Sequence, residues 1–200
     1  MRGWGPGDRT STRTMITSPR WATLIALLIG TAVHAEEPTA ISSRVETTAA
    51  NELILTQEVL VDASVAEVWE AYTTTEGWLA WVAPNAEVDL RAGGTIRTNY
   101  DPDARIGDPG TNTLHILNYV PERVLTLQAE LSERWPDVMK EDGEHLMNVV
   151  LFDDLGAAGT RIRSYGVGYR ADPAYDELME FFIPANERLY AKLKAYLEER

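Results

Sequence analysis

The sequence contains no cysteine and only three histidines among its 200 residues. Without cysteine the chain can form no disulfide, thiolate metal site, catalytic thiol or lipid-modified N-terminal cysteine. His115 and His145 stand on different segments, and neither has a second histidine at helical spacing. The sequence also carries no Gly-x-Ser-x-Gly motif, phosphate loop or dinucleotide fingerprint. We therefore expect no metal site and no cofactor.

The first 35 residues have the three regions of a secretory signal peptide. Arg13 and Arg20 precede an apolar run over residues 21–30, and residues 33–35 (VHA) supply a small-residue cleavage site. The apolar run is about half the length that a stable membrane-spanning helix needs. We expect cleavage after Ala35, export to the periplasm or the medium, and no stable membrane insertion after cleavage.

Basic residues are scarce in the remaining chain. Removing residues 1–35 takes away four arginines and one aspartate, which leaves 14 basic and 30 acidic residues and a net charge near −16. Such a surface repels phosphate backbones and anionic lipids, so binding to nucleic acid or to a membrane surface is disfavoured. The 165 residues that remain suffice for one domain that is held together by its core alone.

Composition and periodicity divide this part of the chain in two. Residues 36–50 are small and polar and lack a period, which predicts a flexible leader, and residues 51–200 then form one domain. The first strand is predicted over Glu52–Val61 from its alternating apolar residues. Gln57 interrupts the more apolar face of that strand.

Two capped helices are predicted directly after the first strand. Ser64 and Glu67 form a capping box, in which each side chain binds a backbone N–H at the helix start. A second box from Thr73 to Glu76 opens another short helix, which Pro84 ends.

The rest of the domain reads as antiparallel strands followed by one long helix. Alternating runs predict strands over residues 86–90, 95–100, 113–119, 124–131, 146–152 and 160–166, with a polar interruption over residues 132–144. A helix begins at Asp172 or Pro173 and runs to the C-terminus, and Pro184 should bend or break it. Its apolar stripe is predicted to contain Leu178, Phe182, Ala185, Leu189, Leu193 and Tyr196.

Four stretches of sequence carry a resemblance to a known superfamily. They are VDASVAEVWEAYTTTEGWLAWVAP (61–84), VDLRAGGTIR (88–97), LNYVPERVLTLQAE (117–130) and YDELMEFFIPANERLYAKLKAYLEE (175–199). With the order of elements, they resemble the SRPBCC or START-like superfamily, and within it the bacterial homologues of the activator of heat-shock-protein ATPase (C-terminal domain-like). The resemblance implies an α+β helix-grip fold, in which a curved antiparallel sheet wraps around the long C-terminal helix and encloses an apolar cavity.

The superfamily includes lipid carriers, cyclases and hormone receptors, so the resemblance does not select a function. Aromatic side chains near a cavity mouth are typical of sites for apolar ligands. We expect the ligand cavity to be lined by Trp78, Trp81, Tyr100, His115, Trp135, Leu178, Phe181 and Phe182.

Three functions remain open on this reading. The leading hypothesis is a monomeric binding protein for a small hydrophobic or amphipathic molecule, with no catalytic residue. The alternatives are a cavity enzyme of cyclase or hydrolase type, which would use His115, Tyr100 or a buried carboxylate, and a chaperone-like interaction domain. Arg161 and Arg163 alternate with Ile162, so they are either exterior charges or an anchor for an anionic ligand.

Overall fold

The computed structural model describes residues 41–199. The predicted signal peptide and its cleavage site lie outside this range. The described elements are β1 Ile41–Thr47, β2 Glu52–Val61, α1 Val65–Thr73, α2 Thr75–Trp81, β3 Asn85–Val88, β4 Thr95–Asn99, β5 Asn112–Val120, β6 Val124–Ala129, α3 Asp137–Asp142, β7 Met147–Asp154, β8 Thr160–Arg170 and α4 Pro173–Glu198, with a 3-10 turn over Gly156–Ala158.

The strands of the described range form one antiparallel sheet in the order β1-β2-β8-β7-β6-β5-β4-β3. The sheet is curved, and α4 is the element long enough to cover its apolar face. The α+β helix-grip class expected from the sequence is therefore confirmed. No helix within residues 41–199 has the length and hydropathy that a membrane crossing requires.

The caps of the two short helices explain why the chain turns twice after β2. The box at Ser64 is confirmed, because the Ser64 N–H donates to Glu67 Oε2 at 2.9 Å and the Glu67 N–H donates to Ser64 Oγ at 3.3 Å. The second cap is Thr74, whose Oγ1 accepts from the Gly77 N–H at 3.0 Å. The predicted box at Thr73 was one residue early, because Thr73 is still helical and donates back to Trp69 O at 2.6 Å.

A separate strand, β1, precedes the strand that the sequence predicts as the first. Ile41–Thr47 pairs with β2 in a ladder from Ile41 opposite Val59 to Thr47 opposite Leu53, so the prediction of a flexible leader over residues 36–50 was wrong for this part. An edge strand is stabilised by backbone hydrogen bonds on one side and can keep polar side chains facing solvent. Its sequence therefore lacks the apolar alternation that identifies an inner strand.

The long helix begins as predicted, with Asp172 as its N-cap accepting from the Ala174 N–H at 2.9 Å. It continues without a break through Pro184. Its buried face is Tyr175, Met179, Tyr190, Leu193 and Leu197, one position away from the predicted stripe, of which Leu193 alone is fully buried. The other aliphatic and aromatic members of that stripe are half-buried at its edge.

The core consists of two clusters on one side of the sheet. The larger packs α1, α2 and the second half of α4 against the sheet, and its most deeply buried members include Val68, Phe152 and Leu193. The smaller lies at the first half of α4 and contains Leu53, Met139, Leu146 and Tyr175. The space where these two clusters meet holds the candidate site.

Candidate functional site

A cavity of about 240 Å³ lies between the sheet, α2, α3 and α4. Residues of both core clusters contribute to its wall. Its lining residues are Tyr72, Trp78, Trp81, Leu114, Leu127, Ala129, Leu131, Met139, Leu146, Met147, Asn148, Val150, Tyr169, Asn186, Leu189 and Tyr190. Within the described range, no charged side chain lines this cavity.

The aromatic wall is held by hydrogen bonds to the end of α1. Trp78 Nε1 donates to Tyr72 O at 2.7 Å, and Trp81 Nε1 donates to Ala71 O at 3.0 Å. These bonds satisfy two helix-terminal carbonyls and both indole N–H groups. A Cβ on Gly77 would lie 2.5 Å from Ala71 O, so glycine permits the close approach of α2 to α1. The two tryptophans are thereby fixed with their apolar rings against the cavity.

The opposite wall is formed by α3 and the segments around it, through Leu131, Met139 and Leu146. A carboxylate holds this short helix in place: Asp142 Oδ2 accepts from the Tyr175 hydroxyl at 2.9 Å and from Arg170 Nε at 2.6 Å. Burial and the hydrogen bond to Asp142 raise the pKa of Tyr175 far above its ordinary value. The polar interruption of the sequence is therefore a structured wall of the cavity.

A polar band crosses the otherwise apolar inner face of the sheet. Gln57 of β2 stands opposite Ser164 of β8, and Ser164 Oγ accepts from Asn148 Nδ2 of β7 at 2.9 Å. Burial raises the pKa of Tyr190, which a hydrogen bond with Ser164 partly offsets. The interruption at Gln57 thus marks a buried polar cluster that reaches from the sheet to α4.

A relay of hydrogen bonds links the same band to the edge strand. Asn186 Nδ2 donates to Gln57 Oε1 at 2.8 Å, and Gln57 Nε2 donates to Ser43 Oγ at 3.0 Å. Ser43 Oγ in turn donates to Glu187 Oε1 at 2.7 Å. Because the Asn186 amide nitrogen is committed to Gln57, its Oδ1 remains as a hydrogen-bond acceptor at the cavity wall.

Tyr72 differs from the hydrogen-bonded polar residues of this cluster. Its side chain lines the cavity and is 4% exposed, and its hydroxyl has no hydrogen-bond partner among the described residues. Burial raises the pKa of Tyr72 well above its ordinary value, and neighbouring Tyr190 raises it further. The hydroxyl is therefore neutral at physiological pH and can donate and accept one hydrogen bond each.

The predicted site residues fall into three places. Trp78 and Trp81 line the cavity. Four others line a separate groove of about 330 Å³ beside the first half of α4, which we call the α4 groove and which also contains Asn112, Arg134 and Pro136. Those four are Trp135, Leu178, Phe181 and Phe182. Phe181 is 64% exposed there, so the structure does not bring these residues into the cavity.

Tyr100 and His115, also expected in the lining, do not line this cavity. Tyr100 is 54% exposed at the end of β4. The neighbours of His115, Leu114 and Ile116, face the interior, so strand alternation directs His115 outward. There its Nε2 lies 3.4 Å from Glu130 Oε2, and its side chain is 43% exposed.

Arg161 and Arg163 are exterior charges. Their partner is Asp153, whose Oδ2 accepts from Arg161 Nε at 3.0 Å and from Arg163 Nε at 2.9 Å. Arg163 Nη2 completes a bidentate pair with Asp153 Oδ1 at 3.0 Å. Partial burial raises the pKa of Asp153, but the hydrogen bonds from the two arginines outweigh it and lower the pKa overall. These arginines stabilise the outer face of the sheet and do not reach the cavity.

Comparison with known protein families shows which family the chain belongs to. Residues 62–198 match the family model of the Activator of Hsp90 ATPase homolog 1-like proteins, which covers about two thirds of the sequence. The chain belongs to this family. The matched region spans α1 to α4 and so contains the described cavity lining. No curated protein matches the sequence significantly.

Solved structures with the same fold confirm the architecture. The Aha1 dimer from Colwellia psychrerythraea is 15% identical, with a TM-score of 0.53 over 72% of this chain and 96% of that chain. CalU16 from Micromonospora echinospora is 20% identical, with a TM-score of 0.55 over 79% and 84%. A protein from Mesorhizobium loti is 16% identical, with a TM-score of 0.55 over 73% and 97%. At these identities the likeness concerns the fold alone.

Sequence reasoning missed the polar members of the site, Tyr72, Asn148, Asn186 and Tyr190. A signal for them existed, because Gln57 occupies an inward position of β2. Asn148 occupies a comparable position on β7, and Asn186 stands one turn before Tyr190 on α4. Polar residues at inward positions of two strands and a helix predict a buried polar cluster, since such groups need each other as partners.

Proposed function

We propose that this protein binds a small, uncharged hydrophobic or amphipathic molecule in the cavity. The observation that carries the proposal is a cavity of about 240 Å³, open to the surface on one side, with an aromatic and aliphatic wall and no charged lining residue in the described chain. An engineered apolar cavity of ~150 Å³ binds benzene, and drug-sized ligands occupy roughly 300–1,000 Å³. The ligand that fits best is therefore the size of one or two fused rings, or a short branched chain.

Binding is better supported than catalysis. General acid–base chemistry uses a histidine, a carboxylate or a similar group with a pKa near the working pH. Among residues 41–199, neither histidines nor carboxylates line the cavity. Burial raises the pKa of Tyr72 and of Tyr190, which makes both hydroxyls poor proton acceptors at neutral pH. The cavity is thus suited to holding a molecule and poorly suited to transforming it.

Thermal unfolding of the chain from Glu36 to Arg200 with naphthalene tests the proposal. A ligand that binds the folded state alone stabilises it by RT ln(1 + L/Kd), where L is the free ligand concentration, so Tm rises with the logarithm of L once L exceeds Kd. Trp78 and Trp81 should report the same event through their fluorescence, since both line the cavity. A matched Phe181→Ala variant of the α4 groove should respond like the wild type. Unchanged Tm and unchanged fluorescence at saturating naphthalene would refute the proposal.

We further propose that the protein acts outside the cytoplasm, since the signal peptide pattern ends at Ala35. Intact-mass measurement of the protein from the envelope or medium of its host should give a chain that begins at Glu36. Retention of residues 21–35 on the exported chain would contradict this.

A further inference from the structure

Two buried hydroxyls of the described chain have no hydrogen-bond partner, Thr56 Oγ1 and Tyr72 Oη, and of these two residues Tyr72 lines the cavity. The Tyr72 hydroxyl is buried and unpaired among the described residues, whereas Gln57, Asn148 and Ser164 in the same interior have hydrogen-bond partners. A buried hydroxyl without a partner costs stability, so native proteins rarely retain one unless something else satisfies it.

A purely structural role does not account for Tyr72. A polar cluster that fixes how α4 docks on the sheet would have all its members paired, as the relay from Asn186 through Gln57 to Ser43 is. The ring of Tyr72 packs on Trp81 and Phe152, each with centroids 5.2 Å away, and phenylalanine would make the same contacts. The hydroxyl is the part of the side chain that the fold does not use.

The surroundings of Tyr72 define the group that would pair with it. Tyr190 and Asn186 line the same cavity as Tyr72, and Asn186 lies one helical turn before Tyr190 on α4. The Asn186 Oδ1 is an acceptor, whereas the Tyr72 hydroxyl can donate or accept. A neutral hydroxyl on the ligand can donate one hydrogen bond and accept another. A charged ligand group is disfavoured, because no charged residue of the described chain lines the cavity to balance it.

We propose that the ligand is a neutral amphiphile with a hydroxyl group, an alcohol or a phenol, and that this hydroxyl binds at Tyr72. The inference rests on the proposed function, because it names the chemistry of the molecule that the cavity holds. The apolar body lies against the aromatic wall of Trp78 and Trp81, and the hydroxyl lies toward Tyr72 and α4. Tyr72 is then the residue that distinguishes a hydroxylated ligand from a hydrocarbon of the same shape.

Calorimetric titration with 2-naphthol and naphthalene at pH 7 tests this, with the protein in the syringe because naphthalene is sparingly soluble. An entirely apolar cavity prefers naphthalene, since burial of an unpaired hydroxyl is costly. We expect the wild-type protein to prefer 2-naphthol. Tyr72→Phe should lower the ratio of the 2-naphthol to the naphthalene affinity by about 3- to 10-fold, the worth of one hydrogen bond. Tyr100→Phe, at an exposed tyrosine outside the cavity, should leave the ratio unchanged.

Each outcome separates the inference from the proposed function. Tyr72→Phe should fold, because it removes no hydrogen bond and should melt at or above the wild-type temperature. If both probes bind and the ratio is the same in the wild type and in Tyr72→Phe, the hydroxyl assignment is wrong and the binding function stands. If neither probe binds to the wild type, the binding function fails and the inference fails with it.

Discussion

Replacement of Ala129 by leucine should stabilise the protein, because Ala129 borders the cavity. It lies at the end of β6, two residues after the inward-facing Leu127, so its Cβ faces the same side of the sheet. Leucine adds three carbons, and burial of each contributes about 0.8 kcal/mol, or about 2.4 kcal/mol together. Loss of side-chain rotamer freedom offsets about 0.5–1 kcal/mol of this. The expected gain in the free energy of unfolding is therefore about 1.5 kcal/mol.

Urea unfolding at pH 7 measures this change as a shift of the midpoint with an unchanged m-value. The matched control is Ala71→Leu. Ala71 is 1% exposed and does not line the cavity, so no space is free beside its side chain. Overpacking at such a position costs about 1–3 kcal/mol. The same chemical change should thus stabilise at Ala129 and destabilise at Ala71.

The sign of the effect at Ala129 decides whether the reasoning is correct. If Ala129→Leu destabilises the protein by 1 kcal/mol or more, as overpacking of a filled core would by about that amount, the space beside β6 is occupied by side chains. A stabilised variant should also bind naphthalene more weakly than the wild type, because the leucine occupies part of the cavity. Stabilisation with undiminished binding would place the ligand elsewhere.

Three further predictions test the surrounding structure. Trp69→Ala should lower the free energy of unfolding by about 3 kcal/mol in a denaturant titration, since its half-buried ring packs edge-on against Phe152 at 5.6 Å. Asp153→Asn should destabilise by roughly 0.5–1 kcal/mol at pH 7. Because the folded-state pKa of Asp153 is lowered, this contribution is present above its unfolded pKa, so the variant and the wild type should converge as the pH falls through the lowered folded-state pKa. A chain that starts at residue 51 lacks β1 and leaves the Gln57 amide nitrogen unpaired, so it should unfold at lower urea than a chain from Glu36, by at least about 1–3 kcal/mol. Equal stability in any of these comparisons would contradict the packing described for that residue.

The local signals in the sequence were reliable wherever the physical cause was local. The cap at Ser64 and the N-cap at Asp172 depend on residues two or three apart, and the structure has both. The error at Thr73 arose because three consecutive threonines, Thr73–Thr75, all have a side chain suited to an N-cap. Whether α1 uses Thr73 as its last residue depends on its hydrogen bond to Trp69, which the pattern cannot show.

The sequence pattern did not predict β1 or the buried face of α4, because both depend on contacts with distant segments of the chain. β1 is polar because it is an edge strand, so its existence depends on the ladder with β2. The buried face of α4 consists of Tyr175, Met179, Tyr190, Leu193 and Leu197, so the stripe predicted from the sequence was rotated by one position. Which face of the helix is buried depends on how α4 packs against the sheet.

The candidate site was predictable only where neighbouring residues in the sequence determine the structure. Trp78 and Trp81 were found because α1 and α2 are adjacent in sequence and local caps orient them. The position of His115 could not be read from the sequence, because the register of β5 relative to the interior is set by pairing with β4 and β6. A one-residue choice of register moves a strand residue to the other face of the sheet. The unpaired hydroxyl of Tyr72 becomes visible only in three dimensions.

Methyl NMR of the methionines tests the central claim most directly. The chain has five methionines, of which Met139, Met147 and Met179 follow residue 35. Met139 and Met147 line the cavity, whereas Met179 is buried on α4 away from it and serves as an internal reference. When 2-naphthol is added to ¹³C-methyl-methionine protein, we expect the resonances of Met139 and Met147 to shift and saturate while that of Met179 stays nearly still. A shift of Met179 alone, or of none of the three, would contradict binding in this cavity.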